Sequence, residues 1–155
     1  MRVQLTWAEM LHGAQVGVMR QLKAISNGSK PGYGLKGLGW NETILGALGE
    51  LAFSKAMNLY WDNMFGDRPN RKPDVGGYEI KTVSDPSHRL VVRDNTPDDV
   101  RVALVVCEGD TFTVAGWITG GKAKQLAQRE SYQGREPQYY LEQKHLNPFD
   151  GAVKP

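Results

Sequence analysis

The sequence predicts an α/β domain in which β-strands are flanked by helices, and three observations support this. Apolar residues recur at helical spacing over residues 42–60, and a capping-box pattern begins an earlier helix predicted over residues 6–25. Gly76 and Gly77 then lie between apolar or aromatic residues, which is typical of a tight β-hairpin. Strand-like runs and one further helix follow. We therefore expect one domain over residues 1–155, with neither internal repeats nor a second domain.

Both early helices have a sequence signal at their start. Thr6 and Glu9 have the spacing of a capping box, so the first helix is predicted to begin at Thr6 and to extend to about Ile25. Asn41 is suited to cap the second helix, which is predicted over residues 42–60. The glycine-rich segment between them is expected to be a loop that either links the helices or clamps nucleic acid by charge and stacking.

Glu50 is a candidate functional residue on the second helix. The small residues Gly46, Ala47 and Gly49 surround it and would allow the helix to approach a sheet closely. Such a position places Glu50 beside the packed face, where simple solvation is poor. Two interpretations follow: a further metal ligand, or a surface glutamate paired with a lysine.

The second half of the chain is predicted to contain mainly strands. The apolar run that ends at Cys107 predicts a buried strand in which this single cysteine is a small hydrophobe rather than a nucleophile. The segment from Gly116 to Ala123 is close to a phosphate-binding loop, which leaves nucleotide binding as an alternative, but alanine stands where serine or threonine would reach Mg²⁺. The tail is expected to be a short packed or partner-facing segment. The predicted elements after the hairpin are strands at 90–93, 101–107 and 111–118 and a helix at 121–129.

The hairpin is the most informative segment. With a two-residue turn, Asp74 is expected to lie opposite Glu79, with the two side chains on the same face of the sheet. Lys81 returns to that face two residues later, at about 6–7 Å from Glu79, while Ile80 points the other way into a core. Two carboxylates at this spacing can share a divalent cation. An ordinary salt-bridged hairpin face is the alternative interpretation.

These residue types suit phosphodiester hydrolysis. A carboxylate-held Mg²⁺ can neutralise charge on the phosphate, supply a nucleophilic water and stabilise the leaving alkoxide. The ammonium group of Lys81 can orient the water or hold the phosphate, and partial desolvation would let it take part in proton transfer.

The order of these motifs resembles the PD-(D/E)XK nuclease superfamily. The matching residues are Gly49-Glu50 on a helix, then Pro73-Asp74, then Glu79-Ile80-Lys81 on a strand. The resemblance implies a restriction-endonuclease-like core with a central mixed β-sheet flanked by helices, and a small, phage-type enzyme. It also implies that Asp74, Glu79, the Ile80 carbonyl and Glu50 hold Mg²⁺ or Mn²⁺, and that Lys81 assists the attacking water.

Positive charge is concentrated around the motif although the formal net charge is only +2. Because phosphate contacts supply most sequence-independent affinity for nucleic acid, these cations are candidate contacts to DNA, with RNA as the alternative substrate. The expected enzyme is a structure-specific or weakly sequence-specific endonuclease. A homodimer is one of its expected oligomeric states. A catalytically inactive nucleic-acid-binding or protein-interaction module is the rival interpretation. The candidate nucleic-acid contacts are Arg71, Lys72, Arg89, Arg93 and Lys122.

The sequence limits the cellular compartments in which the protein is expected. No segment approaches the roughly 18 consecutive apolar residues of a membrane-spanning helix, and the N-terminal residues lack the apolar stretch of a secretory signal. His12, His88 and His145 have no zinc-type spacing to a cysteine. We therefore expect a cytoplasmic protein without a membrane partner, in a bacterial or phage-infected cell.

Overall fold

The computed structural model describes residues 1–28, 39–64, 73–131 and 136–149, which form three α-helices and two β-sheets. The elements in chain order are β1 (Arg2–Gln4), α1 (Trp7–Ser26), α2 (Trp40–Met57), β2 (Tyr78–Val83), β3 (Leu90–Val92), β4 (Arg101–Glu108), β5 (Thr111–Thr119), α3 (Gly120–Leu126), β6 (Gln128–Glu130), β7 (Gln138–Leu141) and a 3₁₀ turn (Gln143–His145).

The main sheet is mixed, with strand order β1-β5-β4-β2. Strand β2 pairs with β4 in parallel, whereas β4 with β5 and β5 with β1 are antiparallel. Strand β2 is thus an end strand of this sheet. A second, antiparallel sheet has the order β3-β7-β6. The α/β class and the mixed sheet are confirmed, whereas the second sheet was not predicted.

Strand β4 lies at the centre of the protein because both of its faces are covered. Residues 102–106 are all buried, which agrees with an uninterrupted apolar run. Ala103 and Val105 belong to a core cluster with residues of α1, α2 and β5. Val102 and Leu104 belong to a second cluster with residues of β3, β7 and α3. The two early helices therefore cover one face of the main sheet, and the second sheet with α3 covers the other.

Close helix and strand contacts fix α2 between α1 and the sheet. A β-carbon at Gly17 of α1 would lie 2.5 Å from the Cα of Ile44, so only glycine allows the two helix backbones to approach this closely. On the other side of α2, a β-carbon at Gly49 would lie 1.8 Å from Oγ1 of Thr82. Packing around small residues, as the sequence predicted, holds α2 against β2.

The helix boundaries partly follow the predictions. The capping box of α1 is confirmed: Oγ1 of Thr6 accepts from Glu9 N at 3.2 Å, and Thr6 N donates to Oε2 of Glu9 at 2.6 Å. The assignment of Asn41 as a helix cap was wrong, because Gly39 is the N-cap and Asn41 lies within α2. Helix α3 begins one residue earlier than predicted and ends at Leu126, after which Gln128–Glu130 form β6.

Two further predictions concern loops. Most of the glycine-rich segment, residues 29–38, lies outside the described part of the chain. In the run that resembles a phosphate-binding loop, residues 116–119 belong to β5 and residues 120–123 to α3, so a continuous strand and helix replace the loop. Among the helices that the structure describes, none is long and apolar enough to cross a membrane.

Candidate active site

The Gly-Gly turn forms as the sequence predicted. Gly76 and Gly77 have φ values of 53° and 87°, which a two-residue primed turn requires. Tyr78 N donates to Val75 O at 2.8 Å, and Val75 N donates to Tyr78 O at 3.1 Å. A β-carbon at Gly76 would also lie 2.5 Å from Cδ1 of Leu59, so this position favours glycine for two reasons.

Asp74 lies at the outer edge of β2 rather than in a ladder opposite Glu79. Only the Val75–Tyr78 pair forms a bridge in this hairpin, and Asp74 N donates to Tyr78 O at 2.8 Å. The carboxylate of Asp74 then accepts a 2.7 Å hydrogen bond from Ile80 N through Oδ2. The N–H and C=O of one residue in an extended strand point to the same side. The Ile80 carbonyl therefore points to the edge where Asp74 lies.

Glu79 and Lys81 share one face of the main sheet. In the parallel register they are the partners of Val102 and Leu104, whose side chains lie on the side of the second sheet. Lys81 Nζ donates to Oε1 of Glu79 at 2.5 Å, and both side chains are about a quarter exposed. The expected alternation is confirmed, because Ile80 is buried in the cluster on the opposite face.

A cavity of about 450 Å³ brings the motif residues together. Asp74, Glu79 and Lys81 line it from the edge of β2, and the segment between β3 and β4 supplies the facing wall. Thr96 of that segment is buried, and its carbonyl accepts from Lys124 of α3 at 2.6 Å, which ties the wall to α3. The full lining is Pro73, Asp74, Glu79, Lys81, Arg93, Asn95, Thr96, Pro97 and Val100.

Glu50 is buried and is bound by two side chains. Arg20 of α1 makes a bidentate ion pair with it, with Nη1–Oε1 at 2.7 Å and Nη2–Oε2 at 2.8 Å. Trp61 Nε1 donates to Oε2 at 2.9 Å. Glu50 is on α2, which packs against the face of the sheet opposite Glu79. This arrangement favours Glu50 as an anchor for Arg20, and a role as metal ligand would require it to give up these contacts.

Arg20 connects this buried pair to the motif. Burial alone would lower the pKa of Arg20, but the hydrogen bonds and charge of Glu50, with smaller contributions from the charges of Asp74 and Asp62, raise it overall. Arg20 Nε also donates to Met64 O at 2.9 Å, so all three sides of the guanidinium are engaged. A permanently charged group is thus fixed within electrostatic range of Asp74.

The predicted nucleic-acid contacts occupy different places. Arg93 lines the cavity beside the motif. Arg89 lines a separate cleft, pairs with both carboxylate oxygens of Glu130 at 3.0 and 2.9 Å, and stacks over Tyr140. Lys122 is exposed on α3. Arg71 and Lys72 lie outside the described residues.

The donor set fits a magnesium-type ion better than a zinc-type ion. Within the described ranges, no three His, Cys, Asp or Glu side chains are grouped so as to hold a metal. Mg²⁺ commonly binds through one or two carboxylates and keeps several waters. Asp74, Glu79 and the Ile80 carbonyl satisfy that requirement, provided that Lys81 moves away from Glu79. The arrangement also places the Lys81 ammonium beside the Glu79 carboxylate.

Sequence reasoning missed Arg20, Trp61 and the wall at residues 95–97. Arg20 meets Glu50 across 30 positions of sequence, and no local pattern signals such a pair. Asn95-Thr96-Pro97 is recognisable as a turn, but its placement opposite β2 depends on the parallel pairing of β2 with β4.

Comparisons with protein-family models, with curated proteins and with solved structures found no match to this chain. The functional argument therefore depends on the geometry of the cavity and on the motif.

Proposed function

We propose that this protein is a divalent-metal-dependent nuclease that hydrolyses phosphodiester bonds in DNA. One observation carries the proposal: Asp74, Glu79 and Lys81 line one open cavity at the edge of a parallel strand. A salt-bridged surface hairpin would explain the same residue types, but it would not require a cavity or a facing wall that contains Arg93.

Each motif residue has a chemical role in this proposal. Asp74, Glu79 and the Ile80 carbonyl would hold Mg²⁺ or Mn²⁺, which supplies charge neutralisation at the phosphate and activation of water. The Lys81 ammonium would orient the attacking water by donating a hydrogen bond, the proton that the water loses would pass to solvent, and solvent would protonate the leaving 3′ oxygen. In-line attack breaks the bond to the 3′ oxygen and leaves a 5′-phosphate and a 3′-hydroxyl.

Arg20 and Glu50 support this chemistry from the opposite face of the sheet. The bidentate pair keeps the Arg20 charge within electrostatic range of Asp74. Glu50 then acts through Arg20. A direct ligand role for Glu50 predicts loss of metal binding in Glu50→Gln, whereas the anchoring role predicts loss of stability.

The substrate class follows from the charges around the cavity. Arg93 lines the cavity and would contact a phosphate adjacent to the scissile one. The sequence offers Arg71, Lys72 and Lys122 as further candidate contacts to the backbone. No separate sequence-reading module is evident in the described residues, so we propose endonucleolytic cutting with structure preference or weak sequence preference. RNA is the alternative substrate.

We further propose that the mixed sheet is a restriction-endonuclease-like core of a small, phage-type enzyme that acts in the cytoplasm. The supporting features are a helix packed on the motif strand and the parallel pairing of that strand with β4. Between β2 and β4 the chain forms β3 of the second sheet, and the segment between β3 and β4 forms the cavity wall that faces the motif.

The test is cleavage of supercoiled plasmid and of a branched oligonucleotide with Mg²⁺ or Mn²⁺. We expect the parent to cut and Lys81→Ala and Asp74→Ala to lose at least about a hundredfold in rate, since they remove the water-positioning and metal-binding groups. Lys55→Ala is the matched lysine control, because its ammonium binds Gln4 O and Glu9 and does not line the cavity. Binding without cutting in either metal would favour the inactive binding module, and neither binding nor cutting would refute the substrate class.

A further inference from the structure

The outward face of α1 carries large apolar side chains towards both ends of the helix, with the polar Gln15 exposed between them. Five large side chains are exposed on this helix: Trp7 (79%), Leu11 (44%), Met19 (46%), Leu22 (51%) and Ile25 (42%). Their positions follow the helical repeat from the first turn to the last. A surface helix normally presents charged and polar residues to solvent and its apolar stripe to the core.

Two charged side chains of α1 point towards the next helix rather than towards solvent. Glu9 pairs with Lys55 of α2 at 2.7 Å, and Arg20 pairs with Glu50 of α2 at 2.7 Å. Two of the four acidic or basic side chains of α1 are therefore paired with the next helix, whereas His12 and Lys23 are exposed. The buried positions of this helix are Gly13, Val16, Gly17 and Gln21, so Val16 is its only large apolar side chain that is fully buried. Most of the large apolar side chains of α1 face outward.

The stripe has the spacing of a helix–helix interface. Positions 8, 11, 15, 18, 22 and 25 follow alternating steps of three and four residues, the heptad pattern that keeps one seam of a helix against a partner helix. Leu11, Leu22 and Ile25 lie on this seam, whereas Trp7 and Met19 lie beside it. The seam is also symmetrical about its centre. In an antiparallel pair, Leu11 meets Leu22 of the other copy, Gln15 meets Val18, and Ala8 meets Ile25.

The exposed area is sufficient for a dimer. With about 250 Å² for a tryptophan and roughly 180 Å² for each of the others, the five side chains expose on the order of 500 Å² per copy. An interface that also covers Trp7 and Met19 completely would bury about 1,000 Å² from these residues of two copies, which is the lower bound for a specific interface. A two-fold pair uses the same surface on both subunits, as most homodimers do.

We propose that α1 forms an antiparallel two-fold interface with α1 of a second copy of this chain. The observations that carry it are the outward apolar seam, the inward-turned charges and the symmetry of the seam about residues 16–17. This inference concerns association and does not depend on nuclease activity.

The test is the molar mass measured by sedimentation equilibrium or by light scattering after gel filtration, over a range of protein concentrations. The parent is expected to reach twice the chain mass of 17.2 kDa. Leu22→Glu is expected to remain at the monomer mass. Leu126→Glu is the matched control, since Leu126 is a leucine at 47% exposure on α3, and this variant is expected to dimerise like the parent.

A charge pair tests the antiparallel register. The double variant Leu11→Lys/Leu22→Glu places opposite charges across the proposed interface twice, so it is expected to recover the dimer that Leu22→Glu loses. Circular dichroism of each variant verifies that the fold is intact. A parent that stays monomeric at all concentrations, a dimeric Leu22→Glu variant, or failure of the double variant to recover would each overturn the proposal.

Discussion

Replacing Gly49 with alanine tests the contact between α2 and β2 that places the motif strand. A β-carbon at this position would lie 1.8 Å from Oγ1, 2.7 Å from Cγ2 and 2.8 Å from Cβ of Thr82. Non-bonded atoms cannot approach each other this closely, so α2 or β2 must shift to accommodate the alanine side chain. Gly46, one turn earlier in the same helix, has no atom within 4 Å of the corresponding β-carbon.

Comparing the Gly46→Ala and Gly49→Ala variants separates two opposing effects on the free energy of unfolding. Each Gly→Ala change gains about 1 kcal/mol of helix propensity. Overpacking costs about 1–3 kcal/mol and applies only at Gly49. The difference between the two variants therefore isolates the packing cost. We expect Gly46→Ala to be more stable than the parent and Gly49→Ala to be less stable than Gly46→Ala by about 1–3 kcal/mol.

Equilibrium unfolding in urea measures this difference from the midpoints and slopes. Thr82→Ala in the Gly49→Ala background provides a second test. It removes Oγ1 and Cγ2 of Thr82, the two atoms that lie closest to the added β-carbon. The Oγ1 hydroxyl is buried and has no hydrogen-bond partner. Partial recovery is expected. Equal stability of Gly46→Ala and Gly49→Ala would refute the close approach of α2 to β2.

Three other outcomes are expected. Arg20→Met should destabilise by about 3–5 kcal/mol because it leaves the buried Glu50 carboxylate without its cation, and Arg20→Met/Glu50→Leu should recover most of that loss in urea unfolding. The pKa of Glu9 is lowered chiefly by its lysine partner on α2 and next by the capping hydrogen bond, so its stabilising contribution is present above about pH 4.3 and lost as pH falls through the folded-state pKa. Acid unfolding of Glu9→Gln should therefore depend less on pH in that range. Arg93→Ala should reduce the slope of a plot of log K for DNA binding against log salt concentration by about one. Arg89→Ala should reduce this slope by less, because Glu130 already pairs with Arg89. Equal slopes for the two variants would contradict this assignment.

Local signals predicted the parts of the fold that depend on neighbouring residues. The capping box of Thr6 and Glu9 and the positive φ values of Gly76 and Gly77 are each determined within four residues, and the structure has both. The start of α2 shows the limit of such reasoning, since Gly39 rather than Asn41 ends up at the cap. Both residues suit a cap, and packing of the helix selects between them.

The second sheet was not predictable because its strands are short and lack clear alternation. Gln128–Glu130 and Gln138–Leu141 contain only three and four residues, and the pairing of β7 with β3 spans dozens of positions. The same limit applies to the site. Spacing predicted that Glu79 and Lys81 share a face, but the placement of Asp74 at the strand edge and the binding of Glu50 by Arg20 come from long-range packing.

The most direct test of the proposed metal site is Mn²⁺ binding, measured by electron paramagnetic resonance with a cleavage-resistant phosphorothioate duplex present. The parent is expected to bind Mn²⁺, and Asp74→Asn and Glu79→Gln to lose at least about tenfold in affinity. Glu108→Gln, at the exposed end of β4, is the control and should bind like the parent. Unchanged Mn²⁺ affinity in Asp74→Asn and Glu79→Gln, or no Mn²⁺ binding by the parent with DNA, would contradict the proposed metal site.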